Sequence, residues 1–252
     1  MARQKGVIKF KGSLGDVTYY KSKDGYLLRE RGGVDAQRIA NDPNFQRTRE
    51  NAAEFGRAGK SGKLLRNAFR SYYKSYADSR MVTRLASLLL KVIKTDNINP
   101  RGERNVVDGN LSLLTGFEFN IRGKLSTTFY APYTALINRE TGKMSLNISP
   151  FVPETYISAP GGTTHFSIVS VAAEVDFNNE KFEVDSTKTT ILPWNNVETA
   201  AIEHENTVTA ESENPLFFAL GIEFYQEVNE EMYPLRNGSF NSLALIKIDH
   251  ES

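Results

Sequence analysis

Thr164-His165-Phe166-Ser167-Ile168-Val169-Ser170-Val171, extending toward Phe177, is the stretch on which the fold turns. It is rich in aromatic and β-branched residues, which suit a pleated surface. The sequence around it repeats the theme. Segments 111–120, 127–131, 134–138, 144–148, 189–192, 216–228, 232–235 and 242–248 read as strands, separated by Gly, Asn and Pro. Many short alternating strands with no helices between them predict an immunoglobulin-like sandwich of about seven to nine strands.

Upstream of this region the period changes. Residues 96–110 are polar, contain Pro100, Gly102 and Gly109, and mark a boundary. Before them, residues 78–94 carry Met81, Val82, Leu85, Leu88, Leu89, Val92 and Ile93 at alternating spacings of three and four. That is an amphipathic helix, with Asp78 as its N-cap. Residues 45–76 form another helical pattern, with Phe55, Leu65, Phe69, Tyr72, Tyr73 and Tyr76 as bulky groups. Gly56, Gly59 and Gly62 recur in it at every third position, which predicts a kink or a face of close backbone approach. Nearest the start, residues 7–10 and 16–21 are β-prone, and Asp24-Gly25 then offers a hairpin turn before Tyr26-Leu27-Leu28-Arg29. A hairpin alone is marginal in water, so it must rest on another surface.

The net charge of +1 hides a division. Residues 1–104 hold 23 Lys/Arg against 10 Asp/Glu, a net of +13. Residues 105–252 hold 8 against 20, a net of −12. Regions of opposite sign attract within one molecule or between neighbours, and salt weakens the attraction. The expected organisation is a basic hairpin-plus-helices region at 1–104 and an acidic β-sandwich at 105–252.

Catalytic motifs are missing. The chain has no cysteine, which excludes disulfides and thiolate metal sites. His165, His204 and His250 stand at no metal-ligand spacing, and His204 lies between Glu203 and Glu205, whose side chains diverge from it. The Gly56–Lys63 stretch, residues 56–63, fails the phosphate-loop pattern because Lys63 is followed by Leu64 and no strand precedes it. No apolar run approaches the ~18–20 residues of a membrane span, and no apolar segment follows the basic start as a signal peptide requires. No enzyme activity, cofactor, metal or small-molecule substrate is expected.

The run Lys11-Gly12-Ser13-Leu14-Gly15-Asp16-Val17-Thr18-Tyr19-Tyr20, then Asp24-Gly25-Tyr26-Leu27-Leu28-Arg29, Pro43 and Gln46-Arg47-Thr48-Arg49, resembles the opening of uncharacterised bacterial families. Some are from Bacteroidota and some lie near phage-like gene clusters. The resemblance covers about a quarter of the chain, and some of these families end in a β-sandwich. It implies a structural, virion-like component.

The fold class expected is therefore α+β: an N-terminal β-hairpin and two helices, then the sandwich. The expected role is a non-enzymatic subunit that assembles with copies of itself, or with other structural subunits, into a particle, tube or filament. Tyr19, Tyr20, Tyr26, Arg29, Arg31, Arg47, Arg49, Arg66 and Arg70 are the candidate interface residues. Two alternatives stand beside it. The basic helices suit nucleic acid, with Arg66 and Arg70 meeting phosphates. Trp194 and Tyr156 suit a carbohydrate-binding sandwich.

Overall fold

A computed structural model describes residues 2–30, 33–74 and 78–250. The chain is mixed helix and sheet, as the α+β expectation has it. It divides by compactness into Met1–Glu50 and Asn51–Ser252.

The first unit holds a four-stranded antiparallel sheet of β1 (Ala2–Arg3), β2 (Gly12–Leu14), β3 (Val17–Ser22) and β4 (Gly25–Glu30), in the order β1-β4-β3-β2. Ser22 pairs with Gly25, so the hairpin loop is Lys23-Asp24, one residue earlier than the expected Asp24-Gly25. Gly25 supplies the positive φ of +106° that a side chain would resist, and Ser22 Oγ accepts from Asp24 N at 3.0 Å. The expected strand at residues 7–10 is a loop between β1 and β2. A short helix that the sequence reading passed over follows, α1 (Ala36–Asn41). Asp42 then caps a 3-10 turn, accepting from Asn44 N at 2.9 Å, and α2 (Gln46–Ala68) begins.

In the second unit α2 ends before Phe69, and α3 (Arg70–Tyr73) is a separate turn. Residue Tyr76 of the expected helix lies outside the described residues. Of the three spaced glycines, Gly62 meets another element: a Cβ there would sit 3.2 Å from Leu89 Cδ1, whereas Gly56 and Gly59 face open space. The partner is α4 (Met81–Lys94), which buries Met81, Leu85, Leu89, Val92 and Ile93 of the predicted face, while Val82 is exposed and Leu88 half-buried. Arg80, not the expected Asp78, is its N-cap, and Asp78 accepts from Arg80 N at 2.7 Å just ahead of the helix.

The strands are β5 (Tyr133–Asn138), β6 (Lys143–Ile148), β7 (His165–Asp176), β8 (Lys181–Lys188), β9 (Leu192–Pro193), β10 (Ile202–Thr207), β11 (Leu216–Val228), β12 (Glu231–Pro234) and β13 (Ser242–Asp249), with a helical turn, α5 (Pro153–Tyr156), between β6 and β7. One sheet has the order β10-β6-β5. The other runs β12-β11-β7-β8, with β13 also on β11 and β9 on β7. Two expected strands are not strands. Residues 111–120 and 127–131 yield 3-10 turns at Leu111–Leu114 and Leu125–Thr127. Asn110 Oδ1 caps the first through Ser112 N, and the i, i+3 pair Leu111 and Leu114 reaches the helical core. Beyond it the chain still borders β13, with Gly116 N donating to Leu245 O and Phe119 N to Leu243 O.

The layers explain the sequence of the long strands. Val169, Val171, Ala173 and Val175 of β7 and Phe217 and Ala219 of β11 pack against the buried face of α2 and α4. Phe166, Ile168, Ala172, Phe218, Leu220 and Ile222 point the other way and pack on Met144, Leu146 and Ile148 of the smaller sheet. The sandwich therefore carries a helical layer on its larger sheet. Strands buried on both faces lose the polar half of the alternation. Helices before residue 104 and strands after 105 share this core, so the change of charge and period there is not a gap in packing.

Two side-chain seams turn the sandwich into a half-barrel. At one, β8 meets β10: Thr187 Oγ1 donates to Glu205 O at 2.9 Å and Thr207 N to Asp185 Oδ2 at 2.8 Å. At the other, Lys247 Nζ of β13 donates to Ala135 O of β5 at 3.1 Å, and Arg139 Nε to Asp249 Oδ2 at 2.9 Å. Polar β8 and β10 carry acidic residues outward, and neither is among the strand segments the sequence pattern predicts.

Candidate interaction site

In the first unit β3 and β4 bring four expected interface residues together. Tyr19 lies opposite Leu28 and Gly12, with Leu14, Val17 and Tyr26 on the same face. Phe10 adds its ring 5.9 Å from that of Tyr19. On the other face the Arg29 guanidinium lies 5.8 Å from the Tyr20 ring centre. Tyr26 receives Lys21 Nζ at 5.6 Å. These cation–π pairs keep the charges on the sheet while their apolar stems cover it.

The remaining arginines are used differently. Arg49 Nη1 donates to Ile39 O at 2.7 Å and Asp42 O at 2.9 Å, satisfying carbonyls at the end of α1. Arg47 pairs with Glu50 at 3.4 Å. Arg66 and Arg70 belong to the second unit. Arg66 Nε donates to Gly62 O of its own helix at 3.0 Å, and Arg70 is exposed at the start of α3. Arg31 lies outside the described residues.

A feature the sequence reading missed is the loop that β1 feeds into. Gln4 closes it. Its Oε1 accepts from Phe10 N at 2.8 Å, and its Nε2 donates to Phe10 O at 3.2 Å and Leu27 O at 3.1 Å. Lys9 Nζ donates back to Gln4 O. The clamp presents Val7 and Ile8, 101% and 72% exposed, between Lys5 and Lys9. Lysines flanking two unpaired aliphatic residues were the available signal, but alternation with Phe10 made it look like a strand.

The second unit has a cavity of about 540 Å³ where β8, β9 and β10 diverge. Leu192, Pro193, Val197, Ala200 and Ala201 give it apolar walls, and Glu198 and Glu203 stand exposed among its lining residues. His204 also lines it. Asn206 fixes that imidazole. Its Oδ1 accepts from Thr187 N at 2.8 Å and Ser186 N at 3.2 Å, leaving Nδ2 to donate to Ser170 Oγ at 2.6 Å. Ser170 Oγ, 2.9 Å from His204 Nδ1, then gives its own hydrogen to that nitrogen. With Ser170 as the donor, the neutral ring carries its proton on Nε2. Burial pushes the His204 pKa below its ordinary value. Lys188 also lines the cavity, but its Nζ is held by Glu223 at 2.5 Å and Tyr225 Oη at 2.9 Å. Burial opposes its charge, yet these partners outweigh it and raise its pKa.

Among the described residues no group of three His, Cys, Asp or Glu side chains is placed to hold a metal ion, and no helix is long and apolar enough to cross a membrane. Ser170 is fully buried behind His204, so its hydroxyl serves the sandwich interior. No protein family, no curated protein and no solved structure matches this chain.

Proposed function

We propose that this protein is a non-enzymatic structural subunit that assembles with copies of itself. The observation that carries this reading is that no described residue of Met1–Glu50 is buried, although the segment forms a four-stranded sheet. Ordering a residue costs roughly 1–2 kcal/mol of backbone entropy. A sheet recovers that by burying a face, and Leu14, Val17, Tyr19, Tyr26 and Leu28 form a face with that composition. Covering by a neighbouring subunit completes it. Charge supports the same reading: residues 1–50 carry 11 Lys/Arg against 6 Asp/Glu, and residues 51–252 carry 20 against 24. The virion-like setting rests on the resemblance of the opening residues alone.

The nucleic-acid alternative has less support. Arg49 and Arg57 each give Nη1 to backbone carbonyls and Arg66 gives Nε to Gly62 O, although Arg70 stays exposed. Sedimentation velocity of the full chain at low and high salt tests the proposal. Species larger than a monomer at low salt, shrinking as salt rises, are expected. A monomer at both salts and at high protein concentration overturns it.

A further inference from the structure

We propose that the clamped loop of residues 5–9 inserts Val7 and Ile8 into the cavity between β8, β9 and β10 of a second copy. This rests on the self-assembly reading and names the contact that makes it. Gln4 fixes the loop ends through three hydrogen bonds, so the exposed tip is ordered at little entropic cost on binding. An almost fully exposed Val-Ile pair is a large unpartnered apolar feature for so short a loop.

The cavity complements it in three respects. Its volume, about 540 Å³, accommodates two aliphatic side chains with their backbone. Its walls are aliphatic, while Glu198 and Glu203 meet the lysines at positions 5 and 9 of the loop. The Lys188 charge, which would repel them, is countered by Glu223. His204 also lines the cavity, and the Ser170–Asn206 chain fixes its ring from behind. Two different patches of one chain meeting in this way make a heterologous contact, which propagates into a ring or a filament.

Complementation between two assembly-defective full-length variants tests this. V7S/I8S removes the plug and E198K/E203K inverts the rim charges. All four positions are exposed, and circular dichroism with thermal melts checks that both variants fold. V7S/I8S is expected to weaken association at least about a hundredfold, the scale of two aliphatic side chains losing burial, and E198K/E203K to weaken it in a salt-dependent way through repulsion of the loop lysines. Mixed together, they are expected to form discrete one-to-one dimers by light scattering. The V7S/I8S chain keeps a working cavity and the E198K/E203K chain keeps a working plug. Wild-type assemblies that both variants match in size and affinity overturn this contact while leaving self-assembly standing. Monomeric wild-type protein overturns both. Variants that dissociate but fail to complement each other also overturn the plug-and-cavity pairing.

Discussion

Ser170 Oγ lies 2.9 Å from His204 Nδ1, joining β7 of the larger sheet to β10 of the smaller through the buried interior of the sandwich. With Asn206 it forms a short polar chain in which each hydrogen has one acceptor. S170A leaves His204 Nδ1 and Asn206 Nδ2 without that partner, at a cost of about 1–3 kcal/mol. His204 also predicts a pH dependence. Its folded pKa lies below the ordinary 6.5, so the unfolded chain takes up a proton first as pH falls. The contribution of the neutral ring is fully present above 6.5 and is lost as pH drops toward the folded value. Urea unfolding of wild type and H204Q between pH 5 and 8 checks this. The stability difference between them should shrink below about pH 6.5, and parallel curves would exclude a buried neutral imidazole.

Asp96 organises the loop after α4. Its carboxylate accepts from Ile98 N at 2.9 Å, Asn99 N at 3.0 Å, Asn99 Nδ2 at 2.9 Å and Asn105 N at 3.0 Å, and the residue is fully buried. Burial opposes its charge, but these bonds outweigh that and hold the pKa below 3.8. Its stabilisation is therefore present above 3.8 and lost as pH falls through the lower folded value. D96A should cost about 3 kcal/mol in denaturant unfolding, with D96N intermediate. A change within about 0.5 kcal/mol, the usual surface value, would show that the loop is held by other contacts.

Gly59 and Gly62 share one helix but should respond oppositely to alanine. At Gly59 a Cβ meets nothing, so G59A gains up to about 1 kcal/mol of helix propensity. At Gly62 it meets Leu89 Cδ1 at 3.2 Å and Leu85 Cγ at 3.8 Å, so overpacking offsets the gain. Thermal melts should rank G59A above wild type and G62A at or below it. The reverse order would contradict the packing of α4 on α2.

Arg139 ties down the seam between β5 and β13. Its Nε donates to Asp249 Oδ2 at 2.9 Å, Nη2 to Asp249 O at 3.1 Å, and Nη1 to Asn214 O at 3.0 Å and to Ser212 O. A lysine ammonium cannot span these directions. R139A should cost roughly 2–3 kcal/mol, the range for charge-assisted bonds, and R139K should recover less than half. Hydrogen exchange should quicken at β5 first. Full rescue by lysine would mean that charge alone closes the seam.

Elements buried on one continuous face, or on both, were legible along the chain. The ends of β11 match the apolar run from Leu216 to Val228, and α4 buries five of the seven residues its spacing selected, leaving Val82 exposed and Leu88 half-buried. Elements whose outward side chains are charged were not. In β10 the buried Ile202, His204 and Asn206 alternate with exposed Glu203, Glu205 and Thr207, and two polar residues among the three inward ones erase the strand signal. Segments 111–120 and 127–131 failed in the opposite sense: a local cap and i, i+3 leucine spacing overrode the strand composition of the first, and the second makes only a single bridge, Phe129 to Ile157.

Of the expected interface, the hairpin residues Tyr19, Tyr20, Tyr26 and Arg29 do share one small sheet. The clamped loop left only its flanking lysines as a signal, and the cavity had no linear signature, since it depends on groups far apart in the chain, such as His204 on Ser170.

By itself the sequence determined the α+β class, the opposed charges and the core faces of the principal helix and strands, because hydrophobic period and composition act locally along the chain. Tertiary structure decided that the helices cover the sandwich rather than stand apart from it, that the half-barrel closes through Lys247, Arg139 and Thr187, and that a cavity opens beside His204. Those outcomes depend on which buried polar groups find partners across sheets, and that pairing is settled only when distant segments meet.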